Sequence, residues 1–465
     1  MSRGLRNSAR ALVGLGFVLT ALACKHDNAS GPDGGGEMAL ASVGGCLRDC
    51  GPTTESFFDN DRVATLRITI DPAYLREAGF EEDAWEDLLW DRWNSHCGPY
   101  DWVPVRVEYE SPDGVGNDVL EQVGMRLRGS KSRGQNPLAG FKLDLDKLME
   151  VKNRRFADLN RLELLSNEND NSNMLQCMSY KLLRDFGIEA PRCNHMRVYI
   201  NGTLYGLMES VERAKDRRFL RHHFDTNKGF LFAASASCGY ADAMGDLEYK
   251  GDAFTEEYQA SYEIIVGTPE AAEQTLLPMF KCGDPEQTPD DAEFQSCIAE
   301  WIDVDQWLKL IAAESLMPTV EDFVGARRNF FMYFHPDGAA PHGGRFHVWG
   351  WDYDTSLQTA TCFPRDCNPF DAVAGWYGPR GKRAKLVTRL TRVFKARYCE
   401  LGEQFLAETM DATKVARMAE TIEPFMQDDP VIEAGAWRDE VDAMHAFLVQ
   451  HREAAQEALA EACAP

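Results

Sequence analysis

The stretch Glu321-Asp322-Phe323-Val324-Gly325-Ala326-Arg327-Arg328-Asn329, followed after an apolar segment by Trp351-Asp352-Tyr353-Asp354, decides how this chain is read. A carboxylate at a helix-to-loop junction, an Asn seven residues on, a strand and then another Asp is the order of residues in a phosphotransferase centre. There the first Asp orients a hydroxyl, while the Asn and the later Asp hold metal ions. Hard divalent cations prefer carboxylate oxygen, and Mg²⁺ commonly takes one or two carboxylates together with substrate phosphate. Taken singly, each motif is also what a capped helix end or a solvated turn shows. Asp-x-Asp occurs in metal-dependent glycosyltransferases too.

A third segment lies upstream, Gly124-Met125-Arg126-Leu127-Arg128-Gly129-Ser130-Lys131-Ser132-Arg133-Gly134, with Lys142 on the strand that follows. Small residues and cations between strands can approach phosphate closely. A Lys on a strand can pair with phosphate as a point charge. A mobile basic hairpin tip would have the same composition. Neither GxGxxG nor GxxxxGK[ST] occurs, which argues against a dinucleotide-binding fold and a Walker loop. A glycosyltransferase would leave Gly124 to Lys142 unexplained.

Alternation of apolar and polar residues predicts strands over Val63–Ile70, Val105–Tyr109, Gly124–Arg128 and Phe141–Leu145. Asp170, Asn171 and Ser172 offer caps to a helix carrying Met174, Leu175, Met178, Leu182, Leu183 and Phe186, with Gly187 as its stop. Met196–Ile200, Asn201-Gly202 and Leu204–Val211 read as a hairpin, because Asn-Gly supplies the positive φ angles of a tight turn. Residues 267–300 read as a polar, irregular, disulfide-braced insertion. Helix is expected from Trp301 to Val320, then strands over Asn329–Phe334 and Phe346–Trp351, then a helical tail from Lys385 to Ala462. This order suits an α+β fold with a strand-rich N-lobe and a helical C-lobe.

Across 465 residues, Lys+Arg 49 against Asp+Glu 74 gives a net charge of −25, the wrong sign for a general nucleic-acid binder. Thirteen Cys suggest an oxidising compartment. Arg3, Arg6 and Arg10 precede an apolar run, Ala11–Ala23, suited to a signal-peptide core over residues 1–24. It ends Ala21-Leu22-Ala23-Cys24, which resembles a bacterial lipobox with Cys24 as the lipidated residue. Residues 25–55 read as a flexible Gly/Pro-rich tether. The twelve other cysteines include three pairs attractive by position: Cys282 with Cys297, Cys362 with Cys367, and Cys399 with Cys463. Zinc is the competing use of these cysteines, but there is no CxxC and the His are scattered.

Together these stretches resemble the spore-coat protein H (CotH) kinase family, an atypical protein-kinase-like group. Gly124 to Ser132 with Phe141-Lys142 resembles its basic glycine-containing segment. Asp170 to Pro191 resembles its helix ending in Gly-hydrophobic-x-x-Pro. Val198-Tyr199-Ile200-Asn201-Gly202, Gly206 and Val211-Glu212-Arg213 resemble its hairpin. Phe219-Leu220 and Asn227-Lys228-Gly229 follow in order, and Asp322 to Asn329 with Trp351 to Asp354 resembles its "D…N…WDxD" signature.

The resemblance implies a two-lobed atypical protein-kinase-like fold over residues 56–465, with an N-lobe of about 56–213 and a C-lobe of about 214–465. It implies ATP with Mg²⁺ or Mn²⁺. Asp322 would be the catalytic Asp. Asn329 and Asp352 would be metal ligands, and Asp354 a second ligand or its support. Lys142, Arg128 and Ser130 would meet the phosphates, and Glu212 would lie near adenine. The chain departs from the family where paired lysines often precede the basic strand (here Leu138-Ala139-Gly140) and where Asn-x-Asp is common before the catalytic Asp (here the run is Thr319-Val320-Glu321-Asp322).

Two functions follow. One is a secreted or surface-anchored phosphotransferase acting on Ser or Thr of an exported protein, with a basic acceptor suggested by the acidic chain. The other is a non-catalytic surface adhesin or assembly protein keeping the same fold. In either case the membrane is met only through the N-terminal lipid, at the outer membrane or cell surface; an unlipidated product would be secreted. Cys24→Ser should release the protein from the membrane fraction or block its processing. An unchanged membrane fraction with unchanged mature mass would refute lipidation.

Overall fold

The computed structural model describes residues 49–91, 101–128, 138–150, 152–165, 170–234, 244–317, 319, 322–357 and 384–464. The chain divides into two units, Met1–Val43 and Gly44–Pro465, and every described residue lies in the second. Cys24, Ser130, Cys362 and Cys367 fall outside the described residues.

Seven strands close into a barrel: β1 (Val63–Thr69), β2 (Val103–Glu110), β3 (Asp118–Leu127), β4 (Phe141–Asp144), β5 (Arg161–Leu165), β6 (Cys193–Ile200) and β7 (Thr203–Val211). Their order is β1-β2-β3-β4-β5-β7-β6, and β6 returns to pair in parallel with β1. Strand β2 shows why the sequence does this. Val103, Val105, Val107 and Tyr109 are buried, while Pro104, Arg106, Glu108 and Glu110 alternate with them on the other face. The β6–β7 turn has φ of 48° at Asn201 and 83° at Gly202, as expected of that dipeptide. Of the barrel strands, β5 is the one the sequence did not predict: Arg161-Leu-Glu-Leu-Leu165 is too short for its alternation to stand out.

A second sheet has the order β9-β8-β10-β11, from β8 (Phe230–Ala234), β9 (Tyr262–Val266), β10 (Phe330–Pro336) and β11 (Gly344–Gly350). It packs with helices α1 (Leu175–Asp185) and α2 (Val304–Leu316) and with the tail helices α3 (Lys385–Val393), α4 (Lys395–Gln404), α5 (Thr413–Met426) and α6 (Ala434–Ala462). The Trp307 indole on α2 donates to the Phe346 carbonyl on β11 at 2.9 Å, fixing helix to sheet. The N-cap of α1 is Met174 rather than Asp170, Asn171 or Ser172, but the Asp170 carboxylate still holds the helix start by accepting from the amides of Ser172, Met174 and Leu175, each at 2.8 Å. Apolar residues form two clusters, one inside the barrel and one between the second sheet and the helices.

Two expectations need correction. Residues 267–300 are helical over Pro269–Gln274, Leu276–Gly283 and Asp291–Trp301. Their loop-like composition consists partly of caps: Thr268 accepts from Ala271 and Asp290 from Ala292 and Glu293, and Pro269 opens its helix. The tether also ends before residue 55. Asp49–Cys50 pairs in parallel with Arg155–Phe156, a helix covers Thr54–Phe57, and Phe57 is buried in the barrel cluster.

Cys282–Cys297 and Cys399–Cys463 are bonded as expected, Cys177–Cys193 is a further bridge, and Cys50 is also disulfide-bonded. Cys399–Cys463 joins α4 to the end of α6 across a separation of 64 residues, against 15 for Cys282–Cys297. In the chain-entropy account the longer loop is worth about 4 kcal/mol and the shorter about 3 kcal/mol. Cys399→Ala with Cys463→Ala should therefore lower the urea-unfolding free energy by about 4 kcal/mol. A loss smaller than that of Cys282→Ala with Cys297→Ala would contradict this order.

Candidate functional site

Phe141 and Leu143 of β4 are buried in the barrel cluster, so the pleat turns Lys142 to the outer face. There Lys142 stands opposite Arg126 on β3 and Glu163 on β5. Glu163 gathers three cations: Lys142 Nζ at 3.5 Å, Arg128 Nε at 3.3 Å and Arg213 Nε at 3.3 Å. Burial pushes the Glu163 carboxyl up, but Lys142, Arg128 and Arg213 outweigh it and hold the group well below its usual range. Glu163 supports the charge on Lys142, yet burial and the guanidinium groups of Arg128, Arg126 and Arg213 bring the amine down to about 8. Three cations on one carboxylate make a face that favours an anionic ligand. The sequence reading included Lys142 and Arg128 but missed Glu163, whose one signal is a charge between two buried leucines.

The other half of the site lies at one end of the second sheet. Phe330 pairs with Gly350, and one step beyond, the Trp351 amide donates to the Asn329 carbonyl at 2.8 Å. Asn329 and Asp352 thus leave the sheet side by side. Both have positive φ, 51° and 67°. Asn and Asp tolerate that region better than most residues, and such turns cluster at functional sites. Asp322 is buried, and its Oδ1 accepts from the amides of Gly325 at 2.6 Å and Ala326 at 3.2 Å.

Glu314 on α2 joins these pieces. One oxygen accepts from the Val324 amide at 3.1 Å, the other from the Tyr353 hydroxyl at 2.6 Å. Burial, then the charge of Asp322, pushes its carboxyl well above the usual range. The Asp352 amide donates to the Tyr180 hydroxyl on α1 at 3.2 Å, and Tyr180 donates to Gln176 at 3.1 Å. The two halves meet electrostatically at Arg128. Burial disfavours its charge, but Glu163 and Asp352 hold it above its ordinary value. Asp354 is felt on the other side, by Glu209 on β7: burial, Asp170 and then Asp354 raise that carboxyl.

Asp322, Asn329, Asp352, Lys142 and Arg128 therefore belong to one connected region. Glu212 is engaged elsewhere. Its carboxylate accepts from Arg192 at 2.6 Å and 3.0 Å and lies 3.0 Å from the His223 ring. Burial raises the Glu212 carboxyl, but His223 and Arg192 bring it down to about 2.

The donor set fits a nucleotide with a divalent cation. Asn329, Asp352 and Asp354 carry the hard oxygen donors a divalent cation would take, and the Glu163 cluster carries cations of the sign phosphate would need. Trp351 Nε1 and Thr355 Oγ1, flanking the Asp pair, are buried with no hydrogen-bond partner.

A depressed carboxyl stabilises the fold above its unfolded pKa, and that stability is lost as pH falls through the folded one. For Glu212 the window runs from about 4.5 down to about 2, worth on the order of 3 kcal/mol. Glu212→Gln should lower stability at pH 7 by that order, and its deficit against wild type should shrink as pH falls from about 5 to about 2. Urea titrations across that range would show it; a deficit independent of pH would contradict the ion pair's role.

Residues 125–455 match the family described as CotH kinase protein. No curated protein matches the chain. The matched span holds Lys142, Glu163, Asp322, Asn329, Asp352 and Asp354, and membership implies nucleotide and divalent-metal use in general terms. With more than half its length matched, and with a closed strand barrel followed by a second sheet and helices, the chain belongs to the CotH kinase family and has its kinase-like α+β fold.

Proposed function

We propose that the chain transfers the γ-phosphoryl group of ATP to a Ser or Thr hydroxyl of an exported protein. The observation that carries this is the linkage of the Asp322 loop and the Asp352 segment through Glu314, beside the cation cluster on Glu163. Lys142 and Arg128 bind phosphate oxygens, and Ser130, by the resemblance, would add to that contact. Asp322, already oriented by two amide hydrogen bonds, places the acceptor hydroxyl and takes its proton. Asn329, Asp352 and Asp354 hold the cation. When bound, Mg²⁺ or Mn²⁺ neutralises charge on the phosphates. Because the Glu212 side chain is committed to Arg192 and His223, its part near adenine is a main-chain one.

The net charge of −25 favours a basic acceptor. Lipidation at Cys24 would hold the protein at the outer membrane or cell surface, where its acceptor is met.

Two Asp substitutions should fail differently. Asp352→Ala removes a cation ligand, so metal-dependent ATP binding should weaken together with turnover. Asp322→Asn keeps an acceptor for the Gly325 and Ala326 amides, so ATP binding should persist while transfer falls roughly 10²–10⁴-fold. Lys142→Ala should weaken ATP binding with the fold unchanged. Calorimetric titration with ATP and Mg²⁺ or Mn²⁺, paired with radiolabel transfer, separates these outcomes. If wild type neither binds ATP with either metal nor labels an acceptor, the phosphotransferase proposal fails and a surface binding or assembly role takes its place.

A further inference from the structure

Cys177 on α1, His195 on β6 and Glu209 on β7 converge on one buried point, and Cys193 on β6 joins them through its bond to Cys177. His195 on β6 stands directly opposite Glu209 on β7, with Cys193 two residues before it on the same face. Cys177 on α1 is bonded to Cys193, with Cα atoms 5.1 Å apart, and its amide donates to Glu209 Oε1 at 3.0 Å. The Cys177 sulfur, a His195 ring nitrogen and a Glu209 oxygen all lie within 4.8 Å of one another. Cys177, Cys193 and Glu209 are 0% exposed and His195 1%. Glu209 Oε2 is buried with no hydrogen-bond partner. A carboxyl oxygen left without a donor in such a place normally costs stability, so a further partner is called for.

We infer that Cys177, Cys193, His195 and Glu209 form a redox-gated zinc site, closed as a disulfide and opened to Zn²⁺ by reduction. A dithiol reductant gives two electrons and two protons to the Cys177–Cys193 bond and itself becomes a disulfide. The S–S bond breaks and two thiols result. Zn²⁺ then binds both sulfurs as thiolates, and their two protons leave to solvent. Two sulfurs, one imidazole nitrogen and one carboxylate oxygen are donors zinc accepts in tetrahedral array. At Zn–S near 2.3 Å and Zn–N and Zn–O near 2.0 Å, tetrahedral donors stand roughly 3.3–3.8 Å apart, so the Cys177, His195 and Glu209 donors need draw together by about 1 Å, while the two sulfurs, freed by reduction, move apart to about 3.8 Å. The ion and the disulfide fasten α1 to the barrel at the same place. Reduction would therefore exchange one clamp for another.

The test uses the full chain. Reduced with a phosphine, loaded with Zn²⁺ and desalted, wild type should retain one zinc per chain by elemental analysis, and the oxidised protein none. Co²⁺ in its place should give the thiolate charge-transfer and visible bands of a tetrahedral sulfur-containing site. Cys282→Ser with Cys297→Ser, and Cys399→Ser with Cys463→Ser, should keep the ion. His195→Asn and Glu209→Gln should each weaken it by more than about tenfold in chelator competition. The proposal is overturned if the reduced wild type retains no zinc, a result that needs no variant. It is equally overturned if the His195 and Glu209 variants hold zinc as wild type does, since other thiols would then be the ligands.

Discussion

The buried Glu314 carboxyl, taking one hydrogen bond from the Val324 amide and one from the Tyr353 hydroxyl, is the joint on which the candidate site depends. Among the described residues, the Asp322 end of its loop and the Asp352–Asp354 segment share no ladder beyond the Trp351–Asn329 hydrogen bond. Both are instead referred to one side chain on α2. Removing a partner from a buried hydrogen bond costs about 1–3 kcal/mol, so the joint is rigid on the scale of the fold's own stability. Burial and then the charge of Asp322 push the Glu314 carboxyl well above its usual range, so the two buried acids are coupled.

The two halves of the site divide the charges between them. The barrel face carries the cations, gathered by Glu163, and the end of the second sheet carries Asn329 and Asp352. Each half packs on its own apolar cluster, so each holds its share with local precision. Arg128 is where the fields overlap, since it senses both Glu163 and Asp352. A ligand with phosphate at one end and a cation among its oxygens fits between such halves.

How much of this was readable in advance follows from how local each feature is. The Asn201-Gly202 turn and the alternation of β2 are local, and both stand as predicted. The order Asp322, Asn329, Asp352 could be read because the chain itself carries it. Glu163 and Glu314 could not, because their importance lies in contacts made across strands or between a helix and distant loops. Glu212 was placed by pattern, but its partners Arg192 and His223 are visible only in three dimensions. Cys177 and Cys193 were passed over because Cys at such spacing matches no motif; only the approach of α1 to β6 pairs them. The misread insertion at 267–300 has a different cause, since helix caps and loop residues share a composition.

Asn201 does more than turn the chain. Its amide donates to the Ile68 carbonyl at 2.9 Å, and its side-chain oxygen accepts from the Ile70 amide at 2.8 Å. Strands β2 to β5 can zip in sequence, each onto the last. The seam between β1 and β6 instead joins residues as far apart as Val63 and His195. Such a long-range pairing is kinetically late, and until it forms the edge of β1 stays open to other strands. The residue that makes the β6–β7 hairpin also grips the end of β1, so forming that hairpin prepares the latch. Barrel closure is thereby coupled to a local folding event, which shortens the time the chain spends with an exposed edge.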